Sequence, residues 1–279
     1  VQGRKIPRRG IGYTPGVPNS MSNIFGHPPP ADPLDDKIDM VLVDRVMDAI
    51  AKMEPWHRPE LHDADRIPKE GGALMVGNHG LMGADAPFMW RGIYKATGRV
   101  VRGLGDDILF STPGLVSVLH KLGAVHGTPE NGLAFLRAGH LVNVYPGGAR
   151  GALKHKEKSY RLHWERSMGF VRLAMRAEVP VVLHMCCGSD DTYFNLGRLK
   201  YPARVMGNSK YEIPWLIGLG PLPLPVKLDY YLSEPILLEG GPDGAEDPEL
   251  VERHHAMLWR LGEQMLQEGL RRRRSVYFG

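Results

Sequence analysis

The 279-residue sequence predicts an α/β fold: a mostly parallel twisted sheet flanked by helices, with an N-terminal arm and an amphipathic helix ahead of it. Three observations lead there. Short apolar runs alternate with helix-period segments from Gly71 onward. Several of those helical segments open on capping signals, such as Thr128-Pro129-Glu130 and Asp247-Pro248-Glu249. The composition, 43% hydrophobic and 24% charged, is that of a globular chain long enough to bury a sizeable core.

Residues 1–31 are rich in Pro, Gly, Asn and Arg, lack periodicity and read as an extended arm. Asp32-Pro33 reads as a helix start, with Asp35 and Asp36 in the first turn. Leu34, Ile38, Val41, Leu42, Val46, Ala49, Ile50 and Met53 then recur every three or four residues, one apolar face of a helix that Pro55 and Pro59 end. Next come a strand over 73–76, a helix over 86–96 and a strand over 100–104. Thr112-Pro113 caps a short helix reaching Leu119, and Thr128 caps another reaching about Ala138. Strands over 140–145 and 179–185 flank a helix over 165–177. A late strand over 226–232 precedes the last helix, whose Val251, His254, Leu258, Leu261 and Met265 form a stripe. Gly240–Gly244 reads as a turn inside the domain, so residues 32–279 are expected to form one unit.

The net charge is +4 and the pI about 9.0, a mild basic balance that favours an anionic surface or substrate. The only cysteines, Cys186 and Cys187, are neighbours; this is no disulfide framework and fits a reducing, cytoplasmic setting. No uncharged apolar run approaches the roughly 18 residues of a spanning helix, and no signal-peptide pattern is expected.

The stretch Gly77-Asn78-His79-Gly80-Leu81-Met82-Gly83-Ala84-Asp85 carries the first candidate chemistry. A strand delivers a histidine into a glycine loop, and an aspartate opens the next helix. A neutral imidazole takes a proton from an alcohol near pH 7, and a carboxylate on its other nitrogen fixes the tautomer. The bland alternative, a capping Asp and a loop-bonded His, is favoured by spacing alone. There is no Gly-x-Ser-x-Gly, and Ser189 in Cys187-Gly188-Ser189-Asp190 does not replace it, so a base without a protein nucleophile is expected.

Tyr145-Pro146-Gly147-Gly148-Ala149-Arg150 follows a strand and offers a second site. Two glycines let backbone N–H groups approach a ligand and the arginine is suited to clamp an anion; a plain turn with a solvated arginine fits equally well. Lys154, His155, Lys156 and Lys158 follow, as phosphate receivers or as a solvated face. The Pro- and Gly-broken apolar stretch 213–226, with Trp215, fits an acyl pocket wall, a membrane-surface contact or a buried crossover. Arg271–Arg274 is a basic tail suited to anionic headgroups, and no nucleic-acid module is evident. His254-His255 lacks partner ligands for a metal, and Gly103-Leu-Gly105 is no dinucleotide fingerprint.

Taken in order, these blocks resemble the glycerolipid (lysophospholipid) acyltransferase superfamily over about residues 71–238. Its Asn-His…Asp motif is filled by Asn78, His79 and Asp85. Its third block, usually Phe-Pro-Glu-Gly-Thr-Arg-Ser, reads Tyr145-Pro-Gly-Gly-Ala-Arg150-Gly. The middle block resembles Leu122-Gly-Ala-Val-His126 followed by Arg137-Ala-Gly-His140; Val179-Pro180-Val-Val182 resembles the fourth, and 226–236 the closing strand. Five residues separate His79 from Asp85 where four are usual, and Gly147 replaces the family's Glu. Both departures look like the branch of diacylglycerol acyltransferase type 2.

The resemblance implies an O-acyltransferase without a tightly bound cofactor or metal. Acyl-coenzyme A or an acyl carrier protein thioester is the implied donor, and a glycerolipid or long-chain alcohol the acceptor. His79 is the implied base and Asp85 its orienter, with Asn78, Gly147, Gly148, Arg150 and Lys154 on the substrate side. Three alternatives stand beside it: a lysophosphatidate-type acyltransferase, a hydrolase using the same pair on water, and a non-enzymatic lipid-binding protein. Peripheral attachment to the cytoplasmic face of a membrane is expected, with no nucleic-acid partner.

Overall fold

The computed structural model describes residues 38–279 apart from 81–82, 111–113, 153, 155, 166, 200–212, 218–222 and 278–279, and the backbone alone at 108, 149–150, 156, 194–199 and 213–217. The expected N-terminal arm and the Asp32-Pro33 helix start lie outside those residues. Within them the first helix, α1, is Met40–Ala51, and Ile38 and Asp39 are not helical. The cap is therefore Asp39, whose carboxylate accepts the Leu42 N–H at 3.0 Å. Pro55 does not simply end a helix. It sits in the first turn of a second short one, α2 (Glu54–His57), where a missing N–H costs nothing.

The chain continues through β1 (Glu60–His62), β2 (Ala73–Gly77), α3 (Ala86–Thr97), β3 (Arg102–Gly105), α4 (Asp107–Phe110) and α5 (Leu115–Lys121). It then forms β4 (Val125–His126), α6 (Pro129–Arg137), β5 (Leu141–Val144), α7 (Gly148–Ala152), α8 (Gly169–Ala177) and β6 (Val181–Cys187). A hairpin of β7 (Phe194–Leu199) and β8 (Ile213–Ile217) precedes β9 (Asp229–Leu232), the helical turn α9 (Gly241–Gly244) and the long α10 (Pro248–Arg272).

Seven strands form one sheet in the order β1-β9-β6-β2-β5-β3-β4. From β6 to β4 all neighbours are parallel; β9 runs antiparallel to β6, and β1 runs with β9. The expected mostly parallel sheet is present, with an oppositely directed edge pair that periodicity did not reveal. In β2, Leu74 and Val76 pack with α6, α8 and α10 on one face, while Ala73 and Met75 pack with Phe88, Met89 and Ile93 of α3 on the other. All five residues of β2 are buried, as a central strand covered on both faces requires.

Two expected caps form as read. The Thr128 hydroxyl accepts the Asn131 N–H at 3.2 Å, and Asp247 accepts the N–H groups of Glu249 and Leu250 at 2.9 and 3.4 Å. The apolar stretch 213–226 divides. Its first part is β8, residues 218–222 and the Trp215 side chain lie outside the described atoms, and its end is a crossover with buried Leu224 and Val226. There the Leu224 N–H donates to the Thr192 carbonyl at 2.7 Å, and Trp56 of α2 donates its indole N–H to the Pro223 carbonyl at 2.9 Å. Among the described residues no helix is long and apolar enough to cross a membrane.

Candidate active site

Three adjacent strands, β6, β2 and β5, end side by side and deliver the polar residues of the site. Gly77, the last residue of β2, is opposite His184 in β6, and Val76 is opposite Val144 at the end of β5. Asn78 and His79 leave β2, Tyr145 leaves β5, and Ser189 and Asp190 leave β6. Open α/β sheets bind ligands at such carboxyl ends of strands.

His79 Nδ1 lies 4.0 Å from Asp85 Oδ1, with 20% of the histidine side chain exposed and 2% of the aspartate. That is close approach without a hydrogen bond. Asp85 occupies the N-cap position of α3 but makes no capping bond; its Oδ1 accepts the Gly80 N–H at 3.0 Å instead. The bland alternative of a capping Asp is thus not what forms. The aspartate closes the loop back on itself beside the imidazole. Gly80 and Gly83 are glycines for contact reasons: a Cβ at Gly80 would stand 2.4 Å from Asp85 Oδ1, and one at Gly83 2.8 Å from His79 Cε1.

Tyr145 lies flat on His79, ring centroids 4.2 Å apart and planes 10° from parallel. It packs against one face of the imidazole. Behind it stands His184, whose Nε2 shares a 2.7 Å hydrogen bond with Asn143 Oδ1. Burial lowers the His79 pKa to about 4, helped by the Lys154 ammonium. Burial raises Asp85 to about 6 against the pull of its backbone hydrogen bonds and of Lys154. At neutral pH the pair is a neutral imidazole beside a carboxylate, the protonation state that a general base requires.

The other expected site residues divide. Asn78 is buried and spends its amide on β6: Oδ1 accepts the Cys186 N–H at 2.7 Å, and Nδ2 donates to the Cys186 carbonyl at 3.0 Å. It ties the His79 loop to the neighbouring strand. The Gly148 N–H donates to the Tyr145 carbonyl at 2.8 Å, a turn bond that takes it from the anion cradle expected of both glycines. Gly147 approaches Gly151 closely, its would-be Cβ 3.3 Å from Gly151 Cα. Arg150 is on α7, and its side chain lies outside the described atoms.

Lys154 is the clearest departure. Expected on the substrate side as a phosphate receiver, or else on a solvated face, it is buried under the loop, with Nζ donating to the His79 carbonyl at 2.9 Å and pairing with Asp190 at 2.7 Å. Asp190, Tyr145 and Tyr230 were not singled out in the sequence. Tyr230 donates its hydroxyl to the Asp85 carbonyl at 2.7 Å from β9. Only the tyrosine ahead of Pro146-Gly147-Gly148 had a local signal, an aromatic in the same block as the glycines.

Ser189 Oγ donates to the Cys186 carbonyl at 3.3 Å, and burial raises the thiol pKa values of Cys186 and Cys187. Neither chemistry is that of an activated nucleophile. Glu60, His62 and Asp229 converge like metal ligands, but Lys227 Nζ sits 3.0 Å from both Glu60 and Asp229 and supplies the cation there.

The acyltransferase family model matches residues 58–186, a span that holds β2, the His79 loop, β5 and most of β6. Family model, relatives and fold together support a place in the glycerolipid acyltransferase superfamily. Two relatives described as "DGAT1/2-independent enzyme synthesizing storage lipids", from Bos taurus and Homo sapiens, are each 32% identical over 181 residues, 65% of this chain and 53% and 54% of their own lengths. The chain thus spans about half the length of these relatives. An uncharacterized protein of Mycobacterium tuberculosis is 30% identical over 80% of this chain and 65% of its own. The crystal structure of the 1-acyl-sn-glycerophosphate (LPA) acyltransferase from Thermotoga maritima superposes with a TM-score of 0.53 at 17% identity, covering 84% of this chain and 81% of that one. This last likeness is one of fold.

Proposed function

We propose that the chain is an O-acyltransferase that moves an acyl group from a thioester, of coenzyme A or an acyl carrier protein, to the hydroxyl of a glycerolipid or long-chain alcohol. The observation that carries this reading is the neutral His79 held between the Asp85 carboxylate and the Tyr145 ring, with no activated protein nucleophile among the described residues around it. In the reaction His79 takes the acceptor's hydroxyl proton, and the alkoxide attacks the thioester carbonyl. The tetrahedral intermediate collapses with loss of the C–S bond, and the leaving thiolate takes the proton from the imidazolium. Asp85 stabilises that imidazolium and is itself ionised at neutral pH.

A neutral acceptor is favoured over a lysophosphatidate. Gly147 stands where the family's third block has an acid, and the vertebrate relatives are described as synthesizing storage lipids. The same proposal places the chain peripherally on the cytoplasmic face of a membrane. In support, Met40 and Val41 of α1 and Leu115 and Val118 of α5 are exposed on neighbouring helices, joined where the Asp39 N–H donates to the Lys121 carbonyl at 3.0 Å.

The test is acyl transfer by the purified chain from labelled acyl-coenzyme A to a panel of glycerol, glycerophosphate, monoacylglycerol, diacylglycerol and alcohol acceptors. Ester products that require a neutral acceptor and vanish in His79→Ala support the reading. Free fatty acid formed at the same rate with or without acceptor would mean a hydrolase. Product confined to glycerophosphate acceptors would restore the lysophosphatidate alternative.

A further inference from the structure

The buried pair Lys154–Asp190 sits under the base-bearing loop, and no part of the reaction just described uses it. Lys154 Nζ donates to the backbone carbonyl of His79 itself, at 2.9 Å, and meets Asp190 Oδ1 at 2.7 Å. The Lys154 side chain is 3% exposed and that of Asp190 is wholly buried. Removing two charges from water is expensive, and a chain keeps such a pair where its geometry serves something else. Here the geometry connects three segments: the loop after β2, the segment after α7, and the 3-10 turn Ser189–Asp191 after β6.

The pair is pinned from behind. Asp190 Oδ2 accepts the Tyr160 N–H at 2.6 Å, the Tyr160 hydroxyl donates to Asp191 at 2.6 Å, and Arg273 donates to Asp191 at 2.7 Å. The Gly188 N–H donates to the same tyrosine hydroxyl at 3.1 Å. A continuous polar chain thus runs from the end of α10 to the carbonyl of the proposed base.

We propose that Lys154 is a positioning residue, held by Asp190, that fixes the backbone of His79 and sets its imidazole against Asp85. The proposal rests on His79 being the base. Lys154 acts through His79 and Asp190 and does not bind the acceptor's phosphate. The charged and titratable groups that face the imidazole are Asp85 at the start of α3, Tyr145 after β5, His184 on β6 and Lys154; Asp190, Cys186 and Tyr230 join them around Asp85. Of these, Lys154 is the cation that disfavours a proton on His79.

The test pairs Lys154→Met with Asp190→Asn, because removing one partner alone leaves the other charge buried. If that double variant does not fold, Lys154→Gln with Asp190→Asn, which keeps polar reach without charge, carries the same readings. His79 is followed by NMR titration of labelled imidazoles, and kcat and KM by the acyl-transfer assay. The expected results are a His79 titration displaced to higher pH, kcat lowered about 10- to 100-fold, KM within about twofold, and partial recovery of both the titration and kcat in Lys154→Arg. An unchanged titration and kcat would make the pair merely structural. A raised KM with kcat intact would make Lys154 an acceptor ligand; either result overturns the proposal. If the wild-type chain transfers no acyl group, the functional reading fails separately, and the His79 titration still decides what Lys154 does.

Discussion

Asp85 Oδ1 faces two partners at once: it accepts the Gly80 N–H at 3.0 Å and stands 4.0 Å from Nδ1 of His79. One carboxylate oxygen therefore shapes the loop and supplies the charge beside the imidazole. The 4.0 Å gap leaves the ring to be held by Tyr145 from the side rather than by a direct His–Asp hydrogen bond.

The pH dependence follows from the two displaced titrations. His79, lowered to about 4, is already neutral at pH 5, whereas Asp85, raised to about 6, is not yet ionised there. Transfer is expected to rise through pH about 6 and then level off. In Asp85→Asn the residual rate should lose that limb and fall only near pH 4. Initial rates across the acid range check this, and a limb that stays near 6 in the variant would assign it elsewhere.

Asp85→Asn should also stabilise the fold at neutral pH. The folded-state pKa of about 6 lies above the ordinary 3.8, so the stability this group contributes is complete below 3.8 and is lost as pH rises through 6. At pH 7 the buried charge costs about 3 kcal/mol at roughly 1.4 kcal/mol per pH unit. The isosteric amide keeps an acceptor for Gly80 but must place its own N–H2, so a gain of about 1–2 kcal/mol is expected. Urea unfolding at pH 7 and pH 4 measures it; the gain should be absent at the lower pH.

Gly83→Ala isolates the space taken by the imidazole. Gly83 has φ +70° and a Cβ there would meet His79 Cε1 at 2.8 Å, while Gly98, with φ +72°, has nothing within 4 Å. Both alanine variants should lose about 1 kcal/mol to backbone strain. Only Gly83→Ala should also lower kcat, by about tenfold or more as the ring is displaced. Equal kcat in the two would show that the imidazole does not depend on this contact.

Asn78→Ala should be costly without touching substrate. It removes both side-chain bonds to the Cys186 backbone and leaves that buried N–H unpaired, while the carbonyl keeps the Ser189 hydroxyl, a loss of about 1–3 kcal/mol. Thermal unfolding reads the loss. If the variant melts like wild type while KM rises, Asn78 belongs to the substrate side after all.

Much of the scaffold was legible because its signals are local. The runs at β2, β5 and β6, the Thr128 and Asp247 caps, and the helical spans of α3 and α6 each lie within a few turns of chain. β1 and β4 were not read: at three and two residues they are too short to show a period. Asp39, whose side chain caps Met40–Ala51, was not read as a cap.

The sequence by itself determined the alternation that makes a covered parallel sheet and the loop that carries His79 and Asp85, since both depend on neighbours along the chain. The tertiary structure decided which distant groups surround them. Strand order places β6 and β5 on either side of β2, and that order brings Asp190 and Tyr145 to a histidine more than sixty residues away. In the sequence Lys154 is one cation of a basic run, a phosphate receiver or part of a solvated face. A buried carboxylate from another strand end and a backbone carbonyl turned it inward, because a charge leaves water only where such partners already stand.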